Sequence, residues 1–222
     1  MQRLVRGLNH FQTHVFREQR EFFEKLATGQ APETLFITCS DSRINPNLIT
    51  NTEPGELFII RNAGNIVPPH NSDPGGEAAT IEYAVEALRV SDIVICGHSQ
   101  CGAMKAVIDP APLESMPLMK AWLDNAEATR RIAKARYSHL TGPDLLEVIV
   151  AEHVLVQIEH LRTQPAVAAA LARGALRLHA WVYAIESGQV YAYDPSAGQY
   201  APIEGKLVPV VEGRRKKDSP WS

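Results

Sequence analysis

Thr34-Leu35-Phe36-Ile37-Thr38-Cys39-Ser40-Asp41-Ser42-Arg43 sets the fold of this chain, because a β-branched apolar run ends there in polar, chemically active residues. Asp92-Ile93-Val94-Ile95-Cys96-Gly97-His98-Ser99-Gln100-Cys101-Gly102 repeats the pattern. Short apolar runs bounded by polar or small residues read as buried strands. Both polar stretches therefore stand where a strand ends and a loop begins. In open α/β sheets, ligand sites form outside the carboxyl ends of the strands. Two thiols and one imidazole, those of Cys39, Cys101 and His98, are carried to that place. They are the ligands a tetrahedral zinc prefers, and three protein ligands leave a fourth position open for chemistry. The bland alternative for Cys39 is a small buried apolar residue. Asp41 and Arg43 weigh against it, because charges are rarely set beside a buried cluster unless they pair.

The flanking sequence extends the strand–helix alternation. Pro46 to Ile49 starts a short helix, Glu53-Pro54-Gly55-Glu56 is a turn, and Leu57 to Ile60 is a second buried strand. Ala78, Ile81, Val85 and Leu88 recur at helical spacing, and Cys101 to Ile108 opens a helix directly after the second polar stretch. The alternation predicts an α/β fold with a central, mostly parallel sheet flanked by helices. Residues 110–173 are nearly all helical in pattern, interrupted at Thr141-Gly142-Pro143, with Asp144 as the cap of the next helix. Leu145, Ile149, His153, Val156 and His160 share one helical face, and the two histidines read as core or surface residues. Leu176 to Ile185, a turn at 186–189 and Val190 to Tyr193 form a hairpin, which adds an antiparallel edge. Beyond Pro195 an irregular tail is expected. Residues 3–27 read as two helices with a break near Thr13.

With 222 residues, a single domain is expected. A net charge of −3 and no extended basic face argue against a nucleic-acid partner, and the run Arg214 to Lys217 reads as a solvated tail. No stretch approaches the ~18 apolar residues of a membrane span. Met1 to Gly7 lacks the apolar core of a signal peptide, so a cytoplasmic location is expected. Three cysteines make a disulfide framework improbable there.

Cys39-Ser-Asp-Ser-Arg43, then Arg61-Asn62-Ala63-Gly64-Asn65, then Gly97-His98-Ser99-Gln100-Cys101-Gly102 resemble the signature of the β-class carbonic anhydrases. Gly102-Ala103-Met104-Lys105, Trp122, Glu127-Ala-Thr-Arg-Arg131, Ser138-His139-Leu140 and His179-Ala180-Trp181 are similar to the cyanobacterial, carboxysome-associated members. The resemblance implies Zn2+ on Cys39, His98 and Cys101, with Asp41 and Arg43 as a catalytic dyad. It implies a substrate pocket for carbon dioxide and bicarbonate made of Gln30, Phe58, Tyr83 and Gly102. Gln30 stands nine residues before the first thiol, Phe58 nineteen after it, and Tyr83 fifteen before the histidine, all in the family's register. Part of that lining comes from a neighbouring subunit in the family. A homodimer or higher homo-oligomer is therefore implied, with the N-terminal helical arm, residues 1–28, packed on the partner. A carboxysome location and a carboxysome scaffold protein as partner are implied as well. Ala103 and Ile44 depart from the common pattern without touching a ligand. Phe36 stands where the bicarbonate-regulated members carry tryptophan, and Cys96 has no assigned role.

Two other classes compete. A catalytically silent zinc scaffold would need only the three ligands, yet Asp41, Arg43, Gln30 and Tyr83 are also present. A redox-active thiol protein would be expected to show Cys-x-x-Cys, which is absent.

Overall fold

A computed structural model describes residues 1–70, 75–204 and 207–212. The basic run 214–217 lies outside them. Met1–Ala31 and the chain from Pro32 onward form two compact units, and each is described by itself.

In the first unit, α1 (Gln2–His10) passes through a π-helical turn (Phe11–Val15) into α2 (Phe16–Glu18), and α3 (Arg20–Leu26) follows. The break expected near Thr13 falls instead at Gln19, where φ is −110° and ψ is 27°. Thr13 stays in the helix by turning its hydroxyl back onto the Asn9 carbonyl, 2.7 Å away. The Phe11, Phe16, Phe22 and Phe23 rings cluster with centroids 5.3 to 6.3 Å apart. Leu4, Val5 and Leu8 remain more than half exposed on this unit.

The second unit is built on a sheet that has seven strands among the described residues. The strands are β1 (Thr34–Cys39), β2 (Leu57–Asn62), β3 (Asp92–His98), β4 (Arg177–Ala184), β5 (Gln189–Asp194), β6 (Gln199–Pro202) and β7 (Val211–Glu212). Their order is β2-β1-β3-β4-β5-β6. The first four run parallel, β4-β5-β6 are antiparallel, and β7 pairs with the start of β4. The fold is therefore α/β with a mostly parallel sheet and an antiparallel edge, as expected. The segment after Pro195 is not wholly irregular, because it supplies β6 and β7.

Both faces of β1 and β3 are buried, which is why these strands are continuously apolar rather than alternating. Leu35, Ile37, Ile93 and Ile95 pack in one core, under α5 (Gly76–Glu82), and Phe36, Val94 and Cys96 pack on the other face near α4 (Pro46–Thr50). After β3 come α6 (Gly102–Ile108), α7 (Pro117–Leu123), α8 (Glu127–Arg136), α9 (Gly142–Thr163) and α10 (Pro165–Ala172). The N-cap of α9 is Thr141, and Asp144 lies inside its first turn rather than capping it. The long helix α9 is buried along its inner side and lies close against β3. A Cβ on Gly97 would meet Val154 Cγ2 at 2.8 Å and Val150 Cγ1 at 3.3 Å, so this strand position needs glycine for the close approach.

The sheet order places a switch point between β1 and β3. The chain leaves β1 toward β2 on one side and leaves β3 toward β4 on the other. The crevice at such a point is where open α/β sheets bind ligands.

Candidate metal centre

Cys39 ends β1, His98 ends the neighbouring β3, and Cys101 caps the N-terminus of α6. Strand pairing and the tight Ser99–Gln100 link therefore converge three donors at the switch point. Gln100 takes the left-handed conformation at φ 56° to make that link. The Cys39 and Cys101 sulfurs and a His98 nitrogen lie within 4.8 Å of one another, and all three residues are buried.

The histidine is prepared as a ligand. Its Nδ1 lies 2.8 Å from the Ser99 carbonyl, which can only accept, so Nδ1 carries the proton and Nε2 keeps its lone pair. Nε2 is buried and has no hydrogen-bond partner among the described residues. A buried polar atom without a partner is costly unless something else satisfies it. Two thiols, one neutral imidazole and an orphaned lone pair fit a zinc ion.

The two thiols shift in opposite directions. The Cys101 thiol beside it pulls the Cys39 thiol down, helped by the Gly64 N–H, against burial. Cys101 is pushed up because its proton is held on that sulfur and because it is buried. A divalent ion binds the two sulfurs as thiolates, so its binding releases protons.

Asp41 lies beside this cluster, with Oδ2 3.8 Å from His98 Nε2. Arg43 holds it in a fork, Nε to Oδ1 at 2.9 Å and Nη2 to Oδ2 at 2.7 Å, and the Arg43 backbone N–H adds 3.0 Å to Oδ1. Such bidentate charge-assisted pairs are the strong ones. Arg43 is the main reason that the Asp41 carboxyl sits far below the usual carboxylate range. Arg43 also reaches the Gln100 carbonyl at 3.2 Å, tying the two polar loops together. Arg61 donates to the carbonyls of Cys39, Asp41 and Ile44 at 3.1, 2.7 and 2.9 Å, fixing the loop that presents the dyad.

Of the residues singled out in the sequence, Cys39, Asp41, Arg43, His98, Cys101 and Gly102 come together within the second unit. Phe58 and Tyr83 pair with each other, ring centroids 6.0 Å apart, and Tyr83 is half exposed. Phe58 is registered with Leu35, four residues before Cys39, about 13 Å back along the strand at ~3.3 Å per residue. Gln30 is exposed at the end of the first unit. Cys96, given no role, is fully buried, and burial pushes its thiol up to about 12.

Several contributors were not legible in the sequence. Ser99 Oγ donates to Glu186 at 2.6 Å and accepts from the Ile185 N–H at 2.9 Å, binding the hairpin turn to the ligand loop. The Gly64 N–H reaches the Cys39 sulfur at 3.3 Å. His153 and Trp122 hold the carbonyls on either side of that amide. Most of these bonds have a backbone atom at one end, and all join residues far apart in the chain, which leaves no pattern in sequence.

A family model described as carbonic anhydrase matches residues 34–190. A carbonic anhydrase of Synechocystis sp. is 53% identical over 195 residues, covering 87% of this chain and 71% of that protein. The solved structure of the β-carbonic anhydrase CcaA superposes with a TM-score of 0.89 at 50% identity, covering 91% of this chain and 99% of that one. One of two tetrameric β-carbonic anhydrases from the ascomycete Sordaria macrospora superposes with a TM-score of 0.79 at 30% identity, covering 90% and 98%.

Proposed function

Since this chain belongs to the β-class carbonic anhydrases, we propose that it interconverts carbon dioxide and bicarbonate at a zinc ion held by Cys39, His98 and Cys101, with Asp41 and Arg43 as its catalytic dyad. The chain is a carbonic anhydrase, and what is proposed is the division of labour among its residues. Cys39, His98 and Cys101 would hold the zinc ion, which would lower the pKa of water from about 15.7 toward neutrality and so supply a nucleophile for carbon dioxide. Asp41 accepts a hydrogen bond at Oδ2 from the attacking water and so aims its lone pair. Arg43 keeps that carboxylate ionised and turned away from the ligand position. The observation that carries this reading is the forked Asp41 carboxylate facing the unpartnered Nε2 of His98 across 3.8 Å.

Gln30, Phe58, Tyr83 and Gly102 are proposed as the substrate pocket. The separation of Phe58 from Cys39 along β1 supports a shared pocket, in which one subunit's Phe58–Tyr83 pair serves its partner's metal centre. That arrangement needs at least a homodimer, and the Sordaria neighbour is a tetramer. The exposed apolar stripe Leu4, Val5, Leu8 supports the arm as part of the subunit contact. Among the described residues no helix is long and apolar enough to cross a membrane. A cytoplasmic setting inside a carboxysome, bound to a scaffold protein and supplying carbon dioxide to Rubisco, is proposed from the resemblance of Gly102 to Lys105, Trp122, Glu127 to Arg131, Ser138 to Leu140 and His179 to Trp181 to the cyanobacterial, carboxysome-associated members.

The test is zinc content and carbon dioxide hydration on the purified protein. One zinc per chain with a rate far above the uncatalysed one is expected. Stoichiometric zinc without hydration would favour the scaffold reading. Mass in solution, with and without a carboxysomal scaffold protein, tests the assembly: a stable mixed complex is expected, and no complex would remove the carboxysome role.

A further inference from the structure

The peptide unit between Ala63 and Gly64 is held at both ends. Its N–H points at the Cys39 sulfur, 3.3 Å away. Its carbonyl, on Ala63, accepts from the indole Nε1 of Trp122 at 2.8 Å. The next carbonyl, on Gly64, is 2.9 Å from His153 Nε2. That carbonyl can only accept, so Nε2 carries the His153 proton and Nδ1 accepts from the Thr129 hydroxyl at 2.9 Å. His153 and Thr129 are buried, so this line of bonds is shielded from water.

The turn has little freedom to adapt. Gly64 has φ of 86°, and a Cβ there would meet the Ala103 Cβ at 2.9 Å. Asn62 closes the turn from the other side, bonding the Ile66 N–H and carbonyl at 2.8 Å each. Further along, Gln157 accepts from the Val67 N–H at 2.8 Å and His160 meets the Val67 carbonyl at 2.8 Å. Residues 153, 157 and 160 share one helical face, so α9 splints the strand-end segment in register.

We propose that Trp122 and His153 are positioning residues that aim the Gly64 amide at the Cys39 thiolate and so set how much charge this ligand gives the metal. The indole N–H polarises the peptide from its oxygen end, which strengthens the N–H at its nitrogen end. An amide hydrogen bond draws charge from a thiolate. The sulfur then donates less, and the metal stays a stronger acid than two unrestrained thiolates would allow. Groups outside the ligand set tune metal sites in this way, and losing one costs roughly 10–100-fold in affinity or activity. This inference rests on the zinc reading above.

The test uses the full chain, loaded with zinc for the pH profile of carbon dioxide hydration and with cobalt(II) for its thiolate-to-metal charge-transfer band. Trp122→Phe keeps the ring and removes the donor. His153→Met removes its donor at similar volume, and His153→Gln returns an N–H near the same place. The expected result in Trp122→Phe and His153→Met is a band moved to longer wavelength and a pH midpoint of hydration moved upward, because the sulfur then donates more and the metal is the weaker acid. His153→Gln should recover most of both. A merely structural role would lower the unfolding temperature and leave the band in place. Folded Trp122→Phe with the wild-type band and the wild-type pH midpoint overturns the proposal, as does failure of both donor-deleting variants to fold. Wild-type protein that takes up no metal overturns the zinc reading and this inference with it. Normal wild-type loading with unmoved variants overturns this inference alone.

Discussion

Arg43 holds both oxygens of Asp41, yet its own side chain is about half exposed. It is therefore a replaceable restraint rather than a buried charge whose loss would collapse the fold. Asp41→Asn should keep zinc and lose hydration rate, by roughly 10²–10⁴-fold if Asp41 aims the nucleophile. Arg43→Ala should free the carboxylate to take the metal's open position, giving full zinc and little activity. Removing both side chains should then be no worse than Arg43→Ala alone. A double-mutant cycle on hydration rate, with zinc measured in every protein, checks this. Strictly additive losses would show that the pair is only structural. Cys101→Ala should abolish stoichiometric zinc, because it removes one of three ligands, and metal analysis reads this directly. This much of the site was legible in sequence, since thiols, imidazole and charges at two strand ends are side-chain chemistry. The Trp122, His153 and Ser99 contacts were not legible, because each joins segments far apart in the chain: α7 and α9 to the turn after β2, and the ligand loop to the 184–189 turn.

Helix α9 carries the consequence of a histidine in the core. Burial lowers the His153 pKa to about 4, against 6.5 in an unfolded chain. Between those values the unfolded state binds the extra proton and the folded state does not. Stability therefore falls as pH drops from about 6.5 to 4, by about 3 kcal/mol for this group. His153→Gln should flatten that part of the stability–pH curve, and denaturant melts at several pH values check it. An unchanged slope would mean that His153 is protonated in the fold. Gly97→Ala should cost about 1–3 kcal/mol, since the added methyl enters the β3–α9 contact against Val154. The strands and long helices were readable because their apolar periods are strong. The shorter features were less so. The arm's break moved to Gln19 because Thr13 satisfies its hydroxyl within the helix. The last strands were missed because β6 and β7 have four and two residues and pair only with strands that are already formed.

The proposed substrate pocket needs more than one chain. Phe58 and Tyr83 lie together, Phe58 is registered with Leu35, four residues before Cys39 on β1, and the first unit leaves an apolar stripe exposed. Deleting residues 3–27 should expose the subunit contact, giving aggregation or a smaller, inactive species by light scattering. An active, soluble monomer without this segment would contradict the shared pocket. The central claim is that hydration needs one metal at Cys39, His98 and Cys101. Its most direct test strips the metal with a chelator, then adds zinc back in steps and measures the carbon dioxide hydration rate after each addition. Negligible activity at the start, a linear rise, and a sharp break at one zinc per chain are expected. Full activity in the stripped protein, or full zinc occupancy with no hydration, would contradict the claim.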